Sequence, residues 1–290
     1  MILVAGATGL LGGQITRQLL DHGQAVRILV RGGSTYDALV TAGAEAAVGD
    51  LKDPDSVRAA CRGVHTVITT ANAIGRSGED NLESVDLQGN RNLVDAAAAG
   101  VSRFVFVSAL GAATDHPLPL LRAKGHTEQR LRASGMTWTV LQPNFYMDLW
   151  IPAVVGGPVL AGHPVTLVGD GRRRHSMVAV HDVASYAVAA LDHPEANDRT
   201  LYVGGPHPVS WLDVVAAFET ELGRQVPVRT IAPGESIPGV PAIVSELAAA
   251  LASYDSPMDV SALTRTYGVA PTTLAEFVHG FVATSRQRVG

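Results

Sequence analysis

The residues with the plainest chemistry stand at the start of the chain. Gly6-Ala7-Thr8-Gly9-Leu10-Leu11-Gly12 sets three glycines at G-x-x-G-x-x-G spacing, directly after the apolar run Ile2-Leu3-Val4-Ala5. Gly6 permits a tight turn, Gly9 lets backbone amides approach a pyrophosphate, and Gly12 lets a helix lie close to a sheet. Leu11, Ile15 and Leu19 follow at helical spacing, so the loop ends in a helix N-terminus whose N–H groups and partial positive charge suit phosphate. Gly6, Thr8, Gly9, Leu10, Leu11 and Gly12 are therefore expected around a dinucleotide. Alone, such glycines also make an ordinary turn; the strand before them and the helix after them are what the dinucleotide reading requires.

The next positions choose the cofactor. An acidic residue about 20 residues past the loop would bind the ribose 2′-hydroxyl of NAD. Here the second apolar strand, Ala25–Val30, ends instead on Arg31, followed by Gly32-Gly33-Ser34. A guanidinium stacks on adenine and pairs with a 2′-phosphate, which favours NADP(H) over NAD(H); the alternative is a surface arginine closing a strand. Asp50-Leu51 sets a carboxylate near the adenine amino group and a leucine against its face, or else the carboxylates there cap the turn at Asp53-Pro54-Asp55. Thr70-Ala71-Asn72 falls where the open sheet edge meets the middle of the cofactor. Phe145, Tyr146, Met147 and Trp150 cluster further on, as core or as an aromatic substrate face. Gly234–Ser256, rich in Pro, Gly and Ala, is either a mobile lid or a packed connection.

These residues need a scaffold, and the pattern supplies one. Strands at Ile2–Ala5, Ala25–Val30, Ala46–Val48, Thr66–Thr70, Phe104–Val107 and Trp138–Leu141 alternate with helical segments. Gly23 closes the first helix, Gly100 one running from about Glu83 to Ala99, and Gly135 one at Leu121–Ser134. Such alternation implies right-handed crossovers and a parallel sheet covered on both faces. The expected fold is α/β, a Rossmann-type doubly wound parallel sheet with a small C-terminal substrate lobe. Residues 1–144 form the dinucleotide core and 145–290 a lobe interleaved with the end of the sheet. In the latter part, Val165–Val168, Ser176–Val180, Thr200–Val203 and Val226–Ile231 read as strands. Asp182 caps a helix running to Leu191, Ser210 opens another, and a last helix lies near Thr273–Thr284.

Composition removes other classes. With 47% hydrophobic and 17% charged residues, the 290-residue chain is not a disordered one. A net charge of −5 offers no footprint for nucleic acid. The single Cys61, read as helix packing, forms no internal disulfide, which fits a reducing cytoplasm. Leu149–Gly169 lacks charge but carries three prolines and four glycines, which argues against a membrane helix. MILVAGATG reads at once as a strand and not as an export signal, so a cytoplasmic protein is expected. Ten scattered histidines lack metal-ligand spacing, so no metal is expected. Arg172-Arg173-Arg174 reads as a solvated turn.

In order and spacing, GATGLLG, VRILVR, GDLKDPDSV, RFVFVSALGA, AKGHTEQRLRASGMTWTVLQPNFYMDLW and SMVAVHDVA resemble the short-chain dehydrogenase/reductase superfamily, in particular its atypical NmrA-like branch. The resemblance runs through nearly the whole chain. It implies NAD(P)(H) binding and either reduction of quinones, ketones, enones or dyes, or redox sensing without turnover. It also implies that Lys124 binds the nicotinamide ribose, that Ser108 hydrogen-bonds a carbonyl oxygen, and that Pro143-Asn144-Phe145 flanks the nicotinamide. No G-x-S-x-G elbow surrounds Ser108, which argues against a hydrolase.

One departure bears on the substrate. The superfamily's tyrosine acid stands four residues before the lysine, and here that residue is Leu120. Reduction of a simple ketone leaves a basic alkoxide that needs a positioned acid; a quinone, enone or dye leaves a delocalised or neutral product. Tyr146 and His126 are the candidate substitute donors, so the expected catalytic set is Lys124, Ser108 and Tyr146. The expected activity is NADPH-dependent hydride transfer to a hydrophobic conjugated carbonyl, quinone or similar electrophile. The alternative is a non-catalytic NADP(H)-sensing regulator that binds a protein partner. A sugar-nucleotide epimerase fits less well, because that branch retains the tyrosine. The oligomeric state is open.

Overall fold

The computed structural model describes residues 1–287 except 75, 77 and 241. The chain begins β1 (Ile2–Ala5), α1 (Leu10–Asp21), β2 (Val26–Val30), α2 (Asp37–Thr41), β3 (Glu45–Val48), α3 (Pro54–Ala60) and β4 (Thr66–Thr69). A π-helical segment at Leu82–Gly89 runs into α4 (Asn90–Ala97), followed by β5 (Arg103–Val107), α5 (Pro119–Arg132) and β6 (Thr137–Pro143). Next come α6 (Met147–Ile151), α7 (Gly157–Leu160), β7 (Val165–Val168), α8 (Val180–Ala189), β8 (Arg199–Val203) and α9 (Trp211–Leu222). The chain ends on β9 (Val228–Ile231), α10 (Ala242–Leu251), α11 (Ser261–Tyr267) and α12 (Leu274–Gln287).

The chain divides into two compact units. The first comprises 1–143, 180–203 and 265–269. Its seven strands are all parallel, in the order β3-β2-β1-β4-β5-β6-β8. β1 and β4 are buried along their whole length, as unbroken apolar runs must be when helices cover both faces. Leu3, Val67, Leu93, Phe104, Phe106 and Leu131 fill one side of the sheet. From β1 the chain winds outward through β2 and β3, then returns to place β4 on the other flank of β1. That reversal opens a crevice at the carboxyl ends of β1 and β4, where doubly wound sheets bind ligands. The glycine loop and Thr70-Ala71-Asn72 both leave the sheet there. Cys61, at the end of α3, is packed into the same core; burial pushes its thiol up to about 11.

The second unit comprises 144–179, 204–264 and the chain from 270 onward. β7 and β9 pair in parallel, and Met147, Ile151, Val165, Trp211, Phe218 and Val282 form its core. Ser210 opens α9 through a reciprocal cap with Asp213, as the sequence predicts.

Several expectations need correction. Ser176–Val180 is not a strand; only isolated bridges form around it, at His175 and Val178. Its amides find partners in different segments, Ser176 on Ser256 and Val178 on Phe145, so no ladder builds. Asp182 lies within the first turn of α8, which already starts at Val180, two residues earlier than expected. Gly234–Ser256 holds a helix, α10, whose Ala248 packs with Val168 and Ile237. The run Glu246-Leu247-Ala248-Ala249-Ala250-Leu251, made of strong helix formers, was the signal for it. Of the two roles expected for the aromatic cluster, the structure shows core for Met147, with Phe145 and Trp150 packed against it. Among the described residues no helix is long and apolar enough to cross a membrane. Leu149–Gly169 is broken into α6, a π-helical turn, α7 and β7.

Candidate cofactor site

The turn from β1 into α1 has no room for side chains. Gly6 has φ +84°, and a Cβ on it would lie 2.6 Å from Thr70 Oγ1 and 2.9 Å from the Ala71 nitrogen. A Cβ on Gly12 would lie 2.2 Å from the Gly6 carbonyl oxygen. The two ends of the crevice are thus in backbone contact. Gly9 is the N-cap of α1, offers no side-chain cap, and no acidic residue follows in the first turn. Thr8, Gly9 and Leu10 are exposed and Leu11 is half-buried. The first-turn amides, free of a side-chain cap, suit an anion, and the close helix–strand approach that Gly6 and Gly12 permit fits a pyrophosphate there.

At the adenosine end, Arg31, Gly32, Gly33, Ser34, Val48, Gly49 and Asp50 line an open cavity of about 570 Å³. Asp50 Oδ1 accepts from the Lys52 amide at 2.9 Å, shaping the turn after β3. Asp53 is the N-cap of α3, so capping at Asp53-Pro54-Asp55 belongs to Asp53 and leaves Asp50 on the cavity wall. Leu51 is half-buried against the core. Arg31, 42% exposed, forms an ion pair with Asp80, whose side chain is 9% exposed. Lys52 Nζ donates to Asp80 Oδ1 at 2.8 Å, and Arg76 lies 3.4 Å from Oδ2. The Lys52 hydrogen bond, then Arg31, hold the Asp80 carboxyl below the usual carboxylate range against the opposing effect of burial. Lys52, Arg76 and Asp80 are absent from the sequence-based set. Lys52 had a signal, two residues past Asp50 in GDLKD; Arg76 and Asp80 had none.

The end of β4 is held by its own polar groups. Thr70 Oγ1 lies 3.4 Å from the Gly6 carbonyl, Asn72 donates to the Thr70 carbonyl at 3.2 Å, and its Oδ1 accepts from Ile74 at 3.0 Å. Asn90 on α4 donates to the Ala71 carbonyl at 3.2 Å.

Further along the same sheet edge, α5 carries Lys124 and Glu128 one turn apart, 6% and 2% exposed. Lys124 Nζ donates to the Val107 carbonyl at 3.1 Å, where β5 ends, and lies 5.2 Å from the centre of the Phe106 ring. Burial pulls its pKa below the ordinary lysine value, while Asp86 and then Glu128 oppose the shift. Asp86, 1% exposed, sits on the π-helical segment before α4. Its Oδ2 accepts from the Ala73 amide at 2.8 Å and its Oδ1 has no hydrogen-bond partner. Burial raises the Asp86 pKa, with Lys124 foremost among the groups that oppose it. Gly125 lets α5 approach the preceding loop; a Cβ there would lie 2.3 Å from the Ala113 carbonyl carbon. Ser108 Oγ donates to Glu128 Oε1 at 2.5 Å, an oxygen that also accepts from Gln142 at 2.9 Å. Arg132 holds the other Glu128 oxygen at 2.7 Å. The Ser108 proton is thus committed to an internal carboxylate. Leu120 stands in the first turn of α5, and His126 is half-buried on it.

Pro143 closes β6, its carbonyl accepting from Leu110 at 3.1 Å. Asn144, Phe145 and Tyr146 belong to the second unit. The Asn144 amide donates to the Ser256 carbonyl at 3.0 Å and to its hydroxyl at 3.1 Å. Phe145 meets His175 and Trp150 edge-on, at 5.2 and 6.1 Å. Tyr146 is half-buried, and burial together with Asp148 raises its phenol pKa. The predicted residues are thereby sorted: the glycine loop with Thr70-Ala71-Asn72, Arg31 with Asp50, and Ser108 with Lys124, all in the first unit.

The family described as NAD(P)H-binding matches the chain over residues 6–194. The chain belongs to that family. Among known relatives, the NAD(P)H azoreductase of Xenophilus azovorans is 33% identical over 236 residues, covering 80% of this chain and 77% of the relative. The photosystem II assembly factor Ycf39 of Cyanophora paradoxa is 32% identical over 232 residues, covering 79% and 71%. The NADPH complex of the Escherichia coli quinone oxidoreductase QOR2 shares the fold at a TM-score of 0.78, with 22% identity over 97% of this chain and 100% of that one.

Proposed function

We propose that this protein is an NADPH-dependent reductase that delivers hydride to a hydrophobic conjugated electrophile such as a quinone, an enone or an azo compound. The observation that carries the reading is Lys124, a lysine 6% exposed on the sheet edge that also holds the glycine cradle. Burying an ammonium is expensive, and buried, strongly perturbed groups concentrate where chemistry needs them. The 33% identical azoreductase supports the same class. NADPH, when bound, supplies the hydride. The first-turn amides of α1 hold the pyrophosphate, with Thr70-Ala71-Asn72 against its middle. Arg31 and Lys52 read the 2′-phosphate. Lys124 holds the nicotinamide ribose and keeps positive potential beside it. Ser108 is a positioning residue, since its proton is already given to Glu128. Tyr146, expected from sequence as a donor, belongs to the second unit, and burial only raises a phenol pKa that already lies above neutral.

The test is NADPH oxidation by the purified protein against a panel of quinones, azo dyes, enones and polycyclic ketones, with NADPH and NADH titrated in parallel. Turnover of a conjugated substrate and tighter NADPH binding are expected. Tight NADPH binding without oxidation on any of them would favour a second reading, a cofactor-sensing assembly or regulatory protein. The relation to Ycf39 and the leucine at position 120 motivate that reading.

A further inference from the structure

Arg31, Lys52 and Arg76 come from three separate segments, yet their charges meet at one carboxylate. Arg31 closes β2, Lys52 follows β3, and Arg76 lies between β4 and the π-helical segment. Three cations repel one another unless an anion stands among them, and Asp80 is that anion. Asp80 is also fixed in place. The next residue, Asn81, caps the π-helical segment by accepting from the Glu83 and Ser84 amides, while the Ser84 hydroxyl accepts from the Asn81 amide and donates to the Glu79 carbonyl. The carboxylate is therefore anchored on both sides along the chain.

A ribose 2′-phosphate presents up to two negative charges and three acceptor oxygens, which suit a guanidinium fork and an ammonium. It calls on the same donors that Asp80 already holds. We propose that Asp80 sets the cofactor selectivity of this site: its carboxylate competes with the 2′-phosphate for Arg31, Lys52 and Arg76, and so tempers the preference for NADP(H) over NAD(H). The proposal rests on reading Arg31 as a phosphate reader, and it adds the anion that opposes it. A cofactor with a bare 2′-hydroxyl makes no such demand and does not feel the competition.

The test uses the full chain and two probes, 2′,5′-ADP and 5′-ADP, measured by calorimetric titration on the wild type, Asp80→Asn and Asp80→Ala. Both variants should bind 2′,5′-ADP about tenfold more tightly, with 5′-ADP changed by less than about twofold, since removing a like charge acts only on the phosphate. Unchanged or weaker 2′,5′-ADP binding in the variants overturns the proposal. So does loss of 5′-ADP binding in both, which would mean that Asp80 builds the site. The wild-type ratio of the two probes tests the cofactor reading separately. A wild type that prefers 5′-ADP, with variants that gain 2′,5′-ADP, refutes the NADPH preference and upholds Asp80. A wild type that prefers 2′,5′-ADP, with variants that match it, does the reverse.

Discussion

Lys124→Met separates the structural and chemical roles of the buried lysine. Methionine keeps the length and apolar stem of the side chain and removes the ammonium. Asp86 is then left 1% exposed, with one oxygen on Ala73, the other unpartnered and its foremost opposing charge gone. Leaving a buried polar group less well satisfied costs about 1–3 kcal/mol, and a loss of that order is expected near neutral pH. The pH dependence has a definite sign. The folded pKa of Asp86 is already raised, and losing Lys124 raises it further. Such a group contributes stability that is fully present below its unfolded pKa and lost as pH rises through the folded one. The deficit of Lys124→Met should therefore be smaller near pH 5 than near pH 8. The double variant Lys124→Met/Asp86→Asn leaves no charge alone and should recover most of the stability, with turnover still lost. Urea denaturation at the two pH values, alongside NADPH oxidation on an accepted substrate, reads all of this. Full turnover in the single variant, a deficit independent of pH, or a double variant no more stable than the single would each refute the reasoning.

Gly12→Ala places a methyl 2.2 Å from the Gly6 carbonyl oxygen, and backbone must shift to admit it; a loss of about 1–3 kcal/mol and at least about tenfold weaker NADPH binding are expected by thermal melting and fluorescence titration. Wild-type affinity in that variant would mean the cofactor is held elsewhere. Ser210→Ala removes the hydroxyl that accepts from the Asp213 amide at 3.1 Å at the start of α9, and should cost about 1 kcal/mol in urea denaturation while leaving NADPH affinity unchanged.

The parts of this protein that sequence revealed are those in which neighbouring residues carry the information. β1 is an apolar run ended by a glycine that must take φ +84°, and the loop after it can be read because turn, cap and helix are contiguous. Ser210 and Asp213 form a cap within one helical turn. What escaped the sequence is what distant segments build. Ser176–Val180 is a short apolar run as a buried strand should be, but its amides bond to two unrelated segments. Asp80 stands 49 residues from Arg31 and 28 from Lys52, and nothing local marks it as their partner. The π-helical segment before α4 was folded into one expected helix from Glu83, because a single extra residue per turn leaves no trace in hydrophobic spacing.

The proton inventory at the sheet edge narrows the chemistry that this site can support. Of the three groups that the superfamily pattern implies, Ser108 and Lys124 are present and the tyrosine is not. The tyrosine position is Leu120, which has no proton to give. Ser108 has spent its proton on Glu128, and Glu128 is fully engaged by Ser108, Gln142 and Arg132. Redirecting that proton would take a donor from a buried carboxylate oxygen, which costs more than the bond is worth in water. Lys124 commits one proton to the Val107 carbonyl, and giving up another would cost it the charge that opposes Asp86 and Glu128. A substrate whose reduced form is a localised alkoxide would find no ready acid in this group. On the proposed function, a substrate that spreads the incoming negative charge over a ring or a conjugated system needs only positive potential at Lys124, and can collect its proton from water afterwards. The arrangement thus favours conjugated acceptors for the same reason that it disfavours simple ketones: the charge near the sheet edge is well placed, and the protons are not free.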